Sequence, residues 1–187
     1  MDTLIRGEKI KVTTDVSTFK MPDVSSFYEG DAPQFKPLSG WNKGTILASY
    51  TSAKDGTRYE LSSTVDNEGR NKLTAPIQFS NPAARDGKQI VFFNLTYTIE
   101  DLNAMTSIPK SFQDIPDKAT RRLWFLRAAV AGLTKVMGTA LTITGENGNA
   151  HINASQLANR TLDVNLQVDD KGRSQVNGFN PFRPTKG

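Results

Sequence analysis

A chain of 187 residues, 37% of them apolar, has the material for one domain with extensions. It is leaner than the roughly 45–50% usual on a scale that also counts glycine. With no cysteine, it can form neither disulfides nor thiolate metal sites, which suits a cytosolic setting. The net charge of +4 permits a polyanionic partner without demanding one. The start MDTLIRGEKIKV has no apolar signal core, and no run of about 18 apolar residues marks a membrane span.

Residues 1–40 read as an arm. GEKIKVTTDV suits a short strand, and MPDVSSFYEGDAPQFKPLSG has the prolines and small polar residues of a loop. Phe19, Phe27, Tyr28 and Phe35 are scattered through it. Such aromatics are expected to pack across a core or onto a neighbouring subunit, because apolar surface left wet is costly.

From Trp41 the pattern sharpens into a domain over 41–187. Residues 44–53, GTILASYTSA, predict a strand with Ile46, Ala48 and Tyr50 on one face. Lys54-Asp55-Gly56-Thr57 predicts a hairpin, since a type I′ turn needs positive φ at its centre. The return strand is 58–65, with Tyr59, Leu61, Ser63 and Val65 opposed to Arg58, Glu60, Ser62 and Thr64. Residues 66–88 read as a long connection with a short extended piece at 73–79. A connection of that length in a compact domain is often functional. Residues 89–99, QIVFFNLTYTI, are the strongest strand, apolar on both faces at its start and so central. A helical turn is expected around 100–105.

Residues 117–138 predict the one long helix. Leu123, Leu126, Val130, Leu133 and Met137 recur at steps of three and four, widened by Trp124, Ala128 and Ala131. Asp117 suits the positive helix end and Gly138 the left-handed stop. Beyond it, 141–144 and 150–153 form a small hairpin pattern around the turn 145–148. Residues 160–169 alternate Leu162, Val164, Leu166 and Val168 against polar neighbours, the clearest amphipathic strand. Asp169-Asp170-Lys171-Gly172 turns the chain back into 173–179. The tail NPFRPTKG reads as loose or packed flat by Phe182. No internal repeat stands out.

Nothing here points to catalysis. His151 is the lone histidine, without the partners a zinc site needs. GENGNA lacks the lysine and following helix of a phosphate loop, and no nucleophile elbow is present. Asp169 and Asp170 adjoin on a turn, where neighbours diverge. No enzyme activity, metal or cofactor is expected.

Three strands, a helix and a two-stranded hairpin is the order of the OB-fold, a five-stranded Greek-key barrel with the helix between strands 3 and 4. A two-sheet sandwich with a packed helix would give much the same string. The segments GTILASYTSAKDGTRYEL, GKQIVFFNLTY, TRRLWFLRAAVAGL and LANRTLDVNLQVDDKGRSQVNGFNPF, over roughly 41–182, resemble the bacteriophage OB-fold single-stranded-DNA-binding proteins and their relatives. The resemblance lies in order and texture. It implies largely sequence-independent binding of single-stranded DNA in phage replication or recombination, in the cytoplasm of the infected host. It also implies contacts with phage or host replication proteins. Many such proteins end in an acidic tail, whereas this chain ends in FRPTKG.

Single-strand binding needs a positive groove and flat π surfaces. On an OB-fold these lie on strands 2 and 3 and the loops joining strands 1–2 and 4–5. The candidates are Lys54, Arg58, Lys171 and Arg173, with Arg70, Lys72, Arg85 and Lys88 from the long connection. Tyr50, Tyr59, Phe93 and Tyr97 are the stacking candidates. Arg121, Arg122 and Arg127, on the helix, are left out of that face. The competing reading is a phage structural or assembly protein, a decoration or tail component, whose residues 1–40 self-associate or dock onto neighbours.

Overall fold

The computed structural model describes residues 35–114, 117–146 and 149–186. The expected strand GEKIKVTTDV and the arm aromatics Phe19, Phe27 and Tyr28 lie outside them. The unit described is Phe35–Gly187. It is mainly β: an antiparallel sheet that curls into a half-barrel, with few helices.

The strands are β1 (Gly40–Ile46), β2 (Ser49–Thr51), β3 (Arg58–Glu60), β4 (Ser62–Val65), β5 (Asn71–Ser80) and β6 (Lys88–Tyr97). Then come α1 (Ile99–Ala104) and α2 (Lys118–Met137). The chain closes with β7 (Ile143–Glu146), β8 (Asn149–Ile152), β9 (Thr161–Val168), β10 (Ser174–Val176) and β11 (Phe182–Arg183). The main sheet runs β10-β9-β1-β5-β4, with β6 on the other edge of β5 and β11 continuing beside β9.

The long connection holds more than the sequence expectation gave it. The short extended piece expected at 73–79 runs over residues 71–80 and is the central strand of the sheet. All ten pair with β6, from Asn71↔Tyr97 to Ser80↔Lys88. The other edge of β5 is divided: β1 pairs at Ile77–Phe79 and β4 at Asn71–Thr74. Leu73, Ala75, Ile77 and Phe79 face the core and are almost wholly buried. Pro76 disguised the strand's central place, since proline donates nothing to a ladder. It stands at the end of the β1 ladder, opposite Leu47, whose N–H its carbonyl accepts at 2.9 Å.

Opposite Pro76 the chain leaves the sheet. The expected strand 44–53 breaks at Leu47-Ala48, and β2 pairs with β3 in a separate ribbon, Tyr50 opposite Tyr59. The hairpin forms as expected, but its turn is longer than type I′. Ser52 N bonds Thr57 O, and only Gly56 takes positive φ. The expected return strand 58–65 is likewise two strands, with β4 given to β5.

On β6, Gln89, Val91, Phe93 and Tyr97 point inward. β9 buries Leu162, Val164 and Leu166, and the core is completed by Leu126, Ala129 and Leu133 of α2 and by Phe182. The tail therefore packs as part of the sheet. The sheet's curl brings β10 against β6, where Gln89 Nε2 donates to Ser174 Oγ at 2.8 Å. Ser174 Oγ in turn donates to Leu38 O at 2.8 Å.

α2 begins at Asp117, whose carboxylate accepts from Thr120 N at 2.7 Å, and ends at Gly138 with φ 69°. Both caps match the sequence reading. The buried face is Leu126, Ala129, Gly132 and Leu133, rotated from the expected stripe, and Ala131 is exposed. Glycine is required at 132 because a Cβ there would lie 2.9 Å from Phe182 O and 3.0 Å from Phe182 Cβ. That close approach seats α2 on β11. Arg122 bonds Asp101 of α1 at 2.6 Å, and Arg127 donates to the Ile108 and Pro109 carbonyls at 2.9 and 2.6 Å. Gly132→Ala should lower stability by about 1 kcal/mol or more through overpacking, although alanine is the better helix former by about 1 kcal/mol. Denaturant unfolding measures this, and an unchanged or raised midpoint would contradict the tight seating.

Candidate nucleic-acid interface

The alternation of β5 and β6 leaves one set of side chains on the outer face of the half-barrel, where Pro76 alone is fully buried. Directly opposed pairs on that face are Lys72–Thr96, Thr74–Asn94, Pro76–Phe92, Gln78–Ile90 and Ser80–Lys88. Thr74 Oγ1 donates to Asn94 Oδ1 at 3.1 Å, fixing two of them. The centre is apolar, and a lysine stands at each end.

Phe92 is the outward ring of the Phe92-Phe93 pair. Phe93, expected as a stacking residue, is only 8% exposed and packs edge-on against Phe182 at 4.8 Å. Tyr97 is buried, its hydroxyl accepting from Ile152 N at 2.7 Å, and burial raises its pKa. Neither can offer a face to a base. Period two decides the matter: the residues that face the core at 91, 93 and 97 leave 92 outside.

The β2–β3 hairpin, β3 lying against β5, brings Tyr50 and Tyr59 to Phe92. The ring centroids are 6.4 Å apart for Tyr50–Tyr59, stacked at 18°, and 4.8 Å for Tyr59–Phe92. Tyr59 is 36% exposed, so the cluster is a surface platform. A depression beside it is lined by Phe92, Ile90, Asn94, Gln175, Arg173 and Phe35.

The candidate cations divide by what holds them. Arg70 and Arg173 are structural staples of two turns built alike. In each, an aspartate four residues earlier accepts the arginine Nε at 2.8 or 2.9 Å and also its backbone N–H at 2.9 Å. A glycine of positive φ precedes each arginine, Gly69 and Gly172. Both turns read Asp-x-x-Gly-Arg, DNEGR and DDKGR. This short repeat was readable in the sequence and is missed by a search for long ones. Arg58 pairs with Glu60 at 3.0 Å, both largely exposed, a contact worth little and readily exchanged. Lys54 at the hairpin tip, Lys72 on β5, Arg85 in the 81–87 loop, Lys88 on β6 and Lys171 in the second turn are exposed, with no ion pair among the described residues. The Gln89–Ser174 bond sets the turn carrying Lys171 and Arg173 beside the Lys88 end of β6.

Among the described residues no group of acids and histidines could hold a metal, and no helix is long and apolar enough to cross a membrane. The chain matches no family model, no curated protein and no solved structure.

The stapled turns carry a pH signature. The Arg70 backbone N–H holds the Asp66 carboxyl below its ordinary 3.8, and the Arg173 side chain does the same for Asp169. A folded-state pKa below the unfolded one contributes stability above pH 3.8 that is lost as pH falls through the lowered value. Asp66→Asn/Asp169→Asn should therefore be less stable than wild type at neutral pH, with a flatter acid limb. Thermal melts across acid pH measure it; parallel limbs would contradict the assignment.

Proposed function

We propose that Phe35–Gly187 is a single-stranded-nucleic-acid-binding domain of OB type, with single-stranded DNA as its ligand and little sequence preference. In this reading the five barrel strands are β1, β5, β6, β9 and β10. Their order in the sheet supports it: β1 lies between β5 and β9, β10 pairs with β9, and the curl carries β10 to β6. α2 then falls between the third and fourth strands. Strands 2 and 3 become β5 and β6. The first binding loop becomes residues 47–70, enlarged by the β2–β3 hairpin. The loop between strands 4 and 5 becomes the DDKGR turn.

The observation that carries the reading is the Tyr50–Tyr59–Phe92 platform on the outer face of β5 and β6, flanked by Lys72 and Lys88. Rings stack on bases whatever their identity, and lysines neutralise phosphates, so the two together favour single strands. A duplex keeps its bases stacked inside and offers such a platform nothing. A setting in phage DNA replication or recombination, in the infected host's cytoplasm and in company with replication proteins, is proposed from the resemblance given above. No catalytic step belongs to this reading.

Titration with oligo-dT should show single-strand preference over duplex. Phe92→Ala should weaken binding about tenfold, within the roughly 1–3 kcal/mol expected per stacked base. Lys72→Ala should reduce the logarithmic salt slope by about 0.7. Circular dichroism confirms that the variants fold. Wild-type protein that ignores single strands at low salt would overturn the reading and favour the assembly role. A folded Phe92→Ala that binds like wild type would overturn the platform.

A further inference from the structure

Phe35 is the most exposed of the large apolar side chains described, at 55%. The sequence expects it to pack across a core or onto a neighbour. Within Phe35–Gly187 it lies open instead, and it meets no other ring among the described residues. An exposed phenylalanine on an ordered backbone calls for a ligand or a partner.

The backbone beside it is held by buried polar groups. Asn81 is almost wholly buried, and its Nδ2 donates to Lys36 O at 3.0 Å and to Gln89 Oε1 at 2.7 Å. Gln89 Nε2 donates to Ser174 Oγ at 2.8 Å, and that hydroxyl donates to Leu38 O at 2.8 Å. One chain of hydrogen bonds from the 81–87 loop through β6 to β10 therefore pins the carbonyls at 36 and 38. Pro37 fixes its own φ and keeps Lys36 extended. A ring whose backbone is already ordered loses less freedom when a ligand stacks on it.

Phe35 borders a single depression, which is also lined by Ile90, Phe92 and Asn94 of β6 and by Arg173 and Gln175. Its volume is about 510 Å³, within the roughly 300–1,000 Å³ of small-ligand sites. Phe92 belongs both to this depression and to the tyrosine platform. A strand stacked on Phe92 thus has the depression beside it.

The charge there suits a phosphate backbone. Asp169 is the one acid in the lining, and it is engaged: its carboxylate accepts the backbone N–H groups of Lys171 and Arg173, each at 2.9 Å, and the Arg173 Nη2 at 2.7 Å. Lys36 and Lys88, each next in the chain to a lining residue, are exposed with no ion pair among the described residues. A peptide strand added to the second edge of β6 would have to part β6 from β10, which the Gln89–Ser174 bond ties together. A base entering beside Phe92 leaves that tie intact.

We propose that Phe35 is a further stacking residue of the interface: a single strand seated on Phe92 places a neighbouring base in this depression, against the Phe35 ring. This rests on the sheet face being a single-strand site.

Fluorescence anisotropy of the full chain with oligo-dT of about 20 nucleotides, longer than the site usual for one OB domain, tests it. Phe35→Ala should bind about tenfold more weakly, as expected for one lost stacked base. Phe35→Tyr should bind as wild type does, and Phe35→Leu as weakly as Phe35→Ala, because leucine keeps apolar surface and has no π face. Phe92→Ala is measured alongside, and circular dichroism confirms that all variants fold. A Phe35→Leu protein that binds like wild type would overturn the stacking role. If Phe35→Ala binds like wild type while Phe92→Ala is weakened, the sheet-face reading stands and only the role of Phe35 falls. The same result with a changed oligomeric state in sedimentation would make the ring a contact between copies, and would equally overturn the proposal. If wild type binds no single strand, both readings fall.

Discussion

The second edge of β5 passes from one partner to another, and Pro76 stands at the change. In an antiparallel strand the N–H and C=O of one residue point to the same side. The Pro76 carbonyl accepts from Leu47 N at 2.9 Å, so its ring nitrogen lies on the same side, toward Leu47. The return bond of that pair is the one proline cannot donate, and the β1 ladder ends there. The chain leaves the sheet at Leu47 and returns at Ser62, and the excursion between them is the hairpin that sets Tyr50 and Tyr59 on Phe92. The ladder between β1 and β5 stops where proline lacks its donor, and the hairpin that follows brings its tyrosines to the outer face of the half-barrel.

The two Asp-x-x-Gly-Arg turns act at opposite ends of the same framework. One joins β4 to β5 and the other joins β9 to β10. Each spends its arginine on its own aspartate, which rigidifies the turn and removes much of that arginine's net field. What remains for an external anion is chiefly lysine: Lys72, Lys88 and Lys171, with Lys54 and Arg85 at loop tips. Lysines on exposed stems suit contacts that slide along a backbone, because an ammonium needs no fixed bidentate geometry.

The sequence showed most clearly what period and capping control. The helix between Asp117 and Gly138, the alternation of β9 and the strong strand at β6 were all legible, since each is decided by residues close in the chain. β5 was legible only as a short extended piece at 73–79, because proline and the polar residues around it read as loop, and its central place comes from neighbours on both edges. Phe93 and Phe92 could not be told apart by type; the choice rests on which face the barrel closes over. Helix residues Ala129 and Gly132 were not read as part of the stripe, yet both are buried, and Gly132 meets Phe182 where small size is what packing requires. The loop at 177–181 was missed because residues 177–179 read as the end of a strand over 173–179; β10 stops at Val176, and two hydrogen bonds with Asn165, from Asn177 N to its carbonyl and from its N–H to Pro181 O, set the loop.

A single strand lying across the outer face of β5 and β6 would touch three rings contributed by β2, β3 and β6. Photochemical cross-linking of the wild-type protein to oligo-dT, followed by mapping of the modified residues, reads that contact without altering the protein. Adducts on Tyr59 or Phe92, suppressed by unlabelled single strands and not by duplex, are the result this account predicts. Adducts confined to residues outside β2, β3 and β6 would contradict it.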